Sequence, residues 1–156
     1  MADHLATVEW RCDGDFRQGR YSRAHRWRFD GGATVAASAS PGNVPAPWSD
    51  PAGVDPEEAL VAAVSSCHML WFLHLARDSG LDIAAYSDAA IGTLGQGPDG
   101  KVAMTRIALR PDIAFAGGQP SAKTLAGLHH AAHERCFIAN SLKTEVVVEA
   151  RPAKPA

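Results

Sequence analysis

The chain has 156 residues, of which 15 are Lys or Arg and 17 Asp or Glu, for a formal net charge of −2. Apolar residues make up 46% and charged residues 21%. That balance excludes wholesale disorder and a coiled coil, and it suits a single domain over residues 1–156 or one protomer of an obligate assembly. The mild acidity argues against a broad nucleic-acid footprint, which needs clustered excess Lys and Arg. No apolar run approaches the roughly 18–20 residues that span a bilayer; the longest, Ala59 to Val64 and Met69 to Leu73, are separated by Ser65, Ser66 and His68. The first ten residues, MADHLATVEW, lack a basic stretch followed by an apolar one, so no secretory leader is expected and a cytoplasmic location is.

The first forty residues read as strands. TVEWRC alternates weakly, and YSRAHRWRFD carries Tyr21, Arg23, His25, Trp27 and Phe29 at period two. The Gly31-Gly32 pair is a hairpin signal, and ATVAASA is the return strand. An N-terminal β-meander is expected, with aromatics on one face and Arg20, Arg26 and Arg28 mostly on the other. Residues 41–56 hold five of the ten prolines and read as a loop. Its length suggests a cover for a site, with Trp48 as the lid.

Asp55-Pro56-Glu57-Glu58 is a helix start, with Asp55 at the N-cap, Pro56 at the first helical position and Glu58 placed for a capping box. Two carboxylates in the first turn also complement the dipole. Apolar residues recur at Leu60, Val64, Cys67, Trp71 and Leu75, and Gly80 suits the C-terminal cap. A helix of about 23 residues exceeds the usual ~11–12, so a buried central helix is expected. LDIAAYSDAAIGTLGQ and KVAMTRIALRPDIAF read as two long strands joined by a turn at GPDG. A second helix runs from about Ser121 to Cys136, with Ser121 as N-cap. LKTEVVVEA is the last strand, and RPAKPA a loose tail. The order βββ–α–ββ–α–β favours an α+β fold over a doubly wound sheet.

Three cysteines, Cys12, Cys67 and Cys136, in a chain without a leader argue against a disulfide scaffold. Each is either a small buried hydrophobe or a reactive group. Cys67 lies too deep in its helix for the dipole to stabilise a thiolate, so reactivity needs an Arg or His from elsewhere. His129, His133 and Cys136 share roughly one helical face and, with Cys67, are a second candidate, for a metal. His68 and His74 read as packing or surface groups.

Two segments carry a resemblance. DPEEALVAAVSSCHML places a Pro-Glu-Glu helix start at Pro56 and Glu57 and a Cys ten residues on, at Cys67. HERCFIANSLKTEVVVEA places a Cys near a helix end, Cys136, before a small-residue turn at Asn140-Ser141-Leu142 and a last strand. Together they resemble the OsmC/Ohr family of thiol peroxidases over most of the chain. The resemblance implies an α+β fold, an intertwined homodimer around two central helices, and no resident cofactor or metal. It implies Cys67 as the peroxidatic thiol and Cys136 as the resolving one, an organic or lipid-type hydroperoxide as substrate, and an external dithiol, of lipoyl or other type, as reductant. Trp48, His68, Met69 and Phe137 are the implied substrate-contacting residues. Glu57 and Cys67 lie about 15 Å apart on a continuous helix, ten residues at ~1.5 Å each, so a Glu57 acting at Cys67 comes from another chain. An Arg paired with that Glu holds the thiolate in the family; Arg23 is the first choice here and Arg20 the second.

Departures mark a divergent branch. The Gly-Gly-Arg-Asp-Gly turn of the organic-hydroperoxide branch is missing, His68 follows the first Cys in place of Phe, and Phe137 follows the second in place of Pro. His25 and His68 are candidate site residues peculiar to it. Two alternatives stand beside the peroxidase: a non-catalytic protein binding a small apolar ligand on the same fold, and the His/Cys metal site.

Overall fold

The computed structural model describes residues 2–149, and the chain divides into two compact units, residues 1–59 and residues 60–156. In the first unit, β1 (Ala6–Glu9), β2 (His25–Phe29) and β3 (Thr34–Ala37) form an antiparallel meander in which Trp27 stands opposite both Val8 and Val35. Gly32, at φ +87°, closes the hairpin in a conformation that side chains disfavour. The strands are shorter than the alternation predicts: β1 ends at Glu9 and β2 begins at His25, not Tyr21. The rings of Trp10, Phe16 and Tyr21 account for this. Tyr21 lies 5.3 Å from Trp10 and 5.0 Å from Phe16, and Trp10 Nε1 donates to the Ser22 carbonyl at 2.8 Å. The cluster draws residues 10–22 out of the ladder into a knot of their own.

The proline-rich loop is laid along β3. Val54 forms a parallel bridge with Ala37, donates to the Ala36 carbonyl at 3.0 Å and accepts from Ser38 N–H at 3.1 Å. A side chain on Gly53 would come within 2.9 Å of the Ala37 backbone, so only glycine permits this approach.

Helix α1 (Pro56–Asp78) has the expected caps. Asp55 Oδ1 accepts the Glu58 N–H at 2.8 Å, and Glu58 Oε2 accepts the Asp55 N–H at 3.1 Å, a complete capping box. At the far end Gly80 has φ +74°, its N–H donates to Arg77 O at 2.9 Å, and Leu81 N–H donates to Ala76 O at 3.0 Å.

The second unit holds two sheets. β4 (Ile83–Asp88) pairs antiparallel with β7 (Pro111–Phe115). β5 (Ile91–Gln96), β6 (Val102–Leu109) and β8 (Glu145–Val148) form the other, with β6 antiparallel to β5 and parallel to β8. Each of the two long strands expected from sequence is therefore cut in two, so that the chain crosses from one sheet to the other. Asp88 marks the break. Its Oδ1 accepts the Arg110 N–H and its Oδ2 accepts the Ser65 hydroxyl, both at 2.6 Å, which pins the corner where β4 ends and β7 begins to α1. Between β7 and β8 lie α2 (Ala122–Arg135), capped by Ser121 Oγ accepting Thr124 N–H at 3.1 Å, and the short α3 (Phe137–Asn140). The α+β class holds. The C-terminal part of the last predicted strand, from Ala150, and the tail 151–156 lie outside the described residues.

The buried spine of α1 is Val64, His68, Phe72 and Ala76. Phe72 and Ala76 pack with Leu128 and Ala132 of α2, and Val64 packs with Ile107 and Leu109 of β6. By length and composition α1 is long and apolar enough to cross a membrane, even though no single apolar run within it approaches that length. Ser65, Ser66 and His68 interrupt the apolar runs without offsetting their mean. With its spine packed against α2 and β6, α1 is the core helix of this unit.

Candidate thiol site

Cys67 sits one position from the spine of α1, at the edge of its buried face and half-buried. It opens on a groove of about 550 Å³ lined by Ala63, Ser66, Cys67, Leu70, Trp71, His74, Phe137 and Ile138. The spacing 63, 66, 67, 70, 71, 74 is one helical face. Trp71 and Phe137 meet edge to face at 5.6 Å, and the Arg135 guanidinium lies 5.8 Å from the Trp71 ring centroid.

Cys136 is buried and serves two helices at once, as C-cap of α2 and N-cap of α3. Its extended backbone, φ −69° and ψ 105°, turns the chain, and its Sγ accepts the Ala139 N–H at 3.4 Å. Cys67 is close enough to Cys136 to act on its thiol electrostatically, and both cysteines are free. Burial pushes the Cys136 thiol up to about 11, partly opposed by the Ala139 and Ile138 N–H groups, while the Cys67 sulfur adds to the rise. The sequence leaves a thiol pair separated by 69 residues to tertiary chance; the α1–α2 packing brings both members together.

The other sequence-predicted residues fall as follows. Phe137 lines the groove; Met69 and His68 are not among its lining residues. His68 is 1% exposed and faces the core, where its Nε2 bonds His129 Nδ1 at 3.0 Å. That corrects its expected place beside the substrate: one residue from Cys67 is a turn of about 100° around the helix. The His/Cys metal quartet is not assembled, since among the described residues no group of three or more His, Cys, Asp or Glu is placed to hold an ion; His129 spends its Nδ1 on His68.

Within the first unit, Arg23 Nη1 donates to the Gly19 and Tyr21 carbonyls at 3.1 and 2.6 Å, and the guanidinium covers the Tyr21 ring at 3.9 Å. His25 Nδ1 lies 2.8 Å from the Arg23 carbonyl, which can only accept, so Nδ1 carries the proton and Nε2 accepts the Trp27 indole N–H at 3.0 Å. Trp48 is half-buried, and its carbonyl accepts the Arg23 N–H at 2.9 Å. Arg20 is exposed and bridges Asp15 through the backbone. Glu57 Oε1 accepts from the Asn43 amide at 3.0 Å. Sequence reasoning missed Leu70, Trp71, His74 and Arg135, although the helical spacing from Cys67 marks the first three.

An α+β frame that brings two free thiols from two helices into one neighbourhood, one on an apolar groove and one buried, defines a class of candidate redox proteins. A family model described as OsmC-like protein matches residues 49–151, and the chain belongs to that family. An OsmC-like protein of unknown function from Vibrio cholerae is 49% identical, with a TM-score of 0.94 over 97% of this chain and 100% of that one. Two further solved structures share the fold. An organic hydroperoxide resistance protein from Legionella pneumophila has a TM-score of 0.70 at 17% identity, over 99% and 98% of the two chains. The organic hydroperoxide resistance protein OhrB of Bacillus subtilis has a TM-score of 0.69 at 19% identity, over 96% and 98%. No curated protein matches the chain.

Proposed function

We propose that the protein is a cysteine-based peroxidase reducing organic, lipid-type hydroperoxides, acting as a cytoplasmic homodimer and recycled by an external dithiol of lipoyl type. The placing of two free thiols beside one another, Cys67 on an apolar groove whose wall includes Phe137 and Ile138 directly after Cys136, carries the reading. The Cys67 thiolate attacks the terminal peroxide oxygen; the O–O bond breaks, the sulfur becomes a sulfenic acid, and the alcohol leaves with one proton. Cys136 then displaces the hydroxyl, forming the S–S bond and releasing water. Two electrons from the dithiol restore both thiols.

The division of labour fits the two environments. Cys136 stays protonated at neutral pH, as suits a thiol that waits, whereas Cys67 borders the groove where an apolar hydroperoxide would dock. Phe137 and Trp71 are the apolar wall against which such a hydroperoxide would rest. In this reading Arg23, with Arg20 as second choice, and Glu57 of the partner subunit hold the thiolate. The homodimer draws support from the open apolar face, where Leu70 and Phe137 are 61% and 69% exposed.

The experiment is intact mass after one equivalent of hydroperoxide. A loss of two hydrogens per chain, absent in Cys136→Ser, is expected, together with hydroperoxide consumption that Cys67→Ser abolishes. A wild type inert toward every organic hydroperoxide tried removes the enzyme reading. The groove also accommodates a second one, a carrier for a small apolar ligand, which thiols unreactive toward an alkylating probe at neutral pH would favour.

A further inference from the structure

α1 carries Cys67 and, next to it, His68. α2 carries His129 and is capped by Cys136 seven residues later, which is two turns or about 10.5 Å along the same helical face. The two imidazoles meet between the helices. His68 Nε2 and His129 Nδ1 are 3.0 Å apart, the ring planes differ by 10° and the centroids lie 5.4 Å apart. This is the edge-to-edge geometry of two neutral rings sharing one proton. Both are buried, at 1% and 4% exposure, and Phe72 covers one face of His129 at 4.5 Å.

The pair is unfavourable in itself. Among the described residues, His68 Nδ1 and His129 Nε2 have no hydrogen-bond partner. One proton occupies the shared bond, so either tautomer leaves one buried N–H and one bare lone pair unsatisfied. An apolar pair of similar volume would avoid that penalty. What an apolar pair cannot supply is direction: dispersion contacts let two helices slide or roll, whereas a ring-to-ring hydrogen bond holds one register.

We propose that His68 and His129 are positioning residues whose shared proton fixes α1 against α2 and so holds the Cys67 and Cys136 sulfurs within bonding reach. Resting on the peroxidase reading above, this makes the pair a determinant of the second step. There the Cys67 S–O bond breaks, the Cys67–Cys136 S–S bond forms, and the Cys136 proton leaves with the hydroxyl as water.

The test is His68→Leu/His129→Leu. Thermal unfolding should occur no lower than in wild type, because two orphan nitrogens are removed. Single-turnover hydroperoxide consumption should change by less than about twofold, while disulfide formation slows by about tenfold or more, and the disulfide's equilibrium constant in glutathione buffers falls by a similar factor, as lost proximity requires. His68→Gln, whose amide N–H reaches His129 Nδ1, should restore both. Imidazole 15N spectra of wild type should show a scalar coupling across the N–H···N bond that His68→Leu lacks. A Leu pair with wild-type disulfide rate and equilibrium overturns the proposal, as does a wild type without the coupling. If wild type ignores hydroperoxides, the peroxidase reading fails while the glutathione equilibrium still reports positioning. Should the Leu pair not fold, His68→Gln against His68→Leu carries the same comparison.

Discussion

Lowering the pH from 7 to 4.5 probes the buried imidazoles through stability rather than catalysis. Burial holds His68 down to about 4, reinforced by His129 and His133 and opposed by Asp88; burial alone holds His129 at about the same value. An unfolded histidine takes its proton near 6.5. Between about 6.5 and 4 the unfolded chain therefore binds more protons than the folded one, so stability is complete above that window and falls as pH falls through it. At roughly 1.4 kcal/mol per pH unit for each group, the two histidines together cost up to about 5 kcal/mol by pH 4.5. That figure is an upper one, because they share a hydrogen bond. Against the 5–15 kcal/mol typical of a folded domain, it is a large fraction. The assay is urea unfolding at pH 7, 5.5 and 4.5, with midpoints and slopes compared between wild type and His68→Leu/His129→Leu. Wild type should lose several kcal/mol that the variant keeps, since carboxylates titrate in both. Parallel losses in the two proteins would mean that the imidazoles are not buried neutral, and the reasoning about their shared proton would go with them.

Three further outcomes follow from the packing. Phe72→Ala removes a fully buried ring between α1 and α2 and should cost about 3–5 kcal/mol by denaturant unfolding. Asp88→Ala strips the acceptor from the Ser65 hydroxyl and the Arg110 N–H, for a loss of about 1–3 kcal/mol, with Asp88→Asn milder because one carbonyl oxygen remains. Under iodoacetamide at pH 8, peptide mapping should show Cys136 labelled last and exposed Cys12 early, because Cys136 is both sealed and pushed up to about 11; early labelling of Cys136 would contradict its burial.

Local chemistry was readable where a few neighbouring residues decide the outcome. The capping box at Asp55 and Glu58, the cap at Gly80 and the Ser121 start of α2 depend on groups within five residues of one another, and each forms as its residue types dictate. The hairpin at Gly31-Gly32 belongs with them. The two overlong strands do not. Nothing within LDIAAYSDAA announces a sheet change, because the acceptor role of Asp88 is set by Arg110, 22 residues later.

The candidate site divides in the same way. Two cysteines with family-like surroundings could be picked out by position, but the groove wall at Leu70, Trp71 and His74 was missed although it lies at helical spacing from Cys67. Which face of α1 is buried could not be read, since apolar residues surround most of the helix and periodicity leaves its rotation open. The apparent stripe through Cys67, Trp71 and Leu75 proved to be a flank, and the spine runs through His68.

Short-range capping, turn chemistry and composition are written in the chain because their partners are sequence neighbours. The rotation of α1, the meeting of two sulfurs 69 residues apart and the sharing of a proton between His68 and His129 were decided only by packing. Burial energy depends on the area each face finds against other elements, and no local segment contains that quantity.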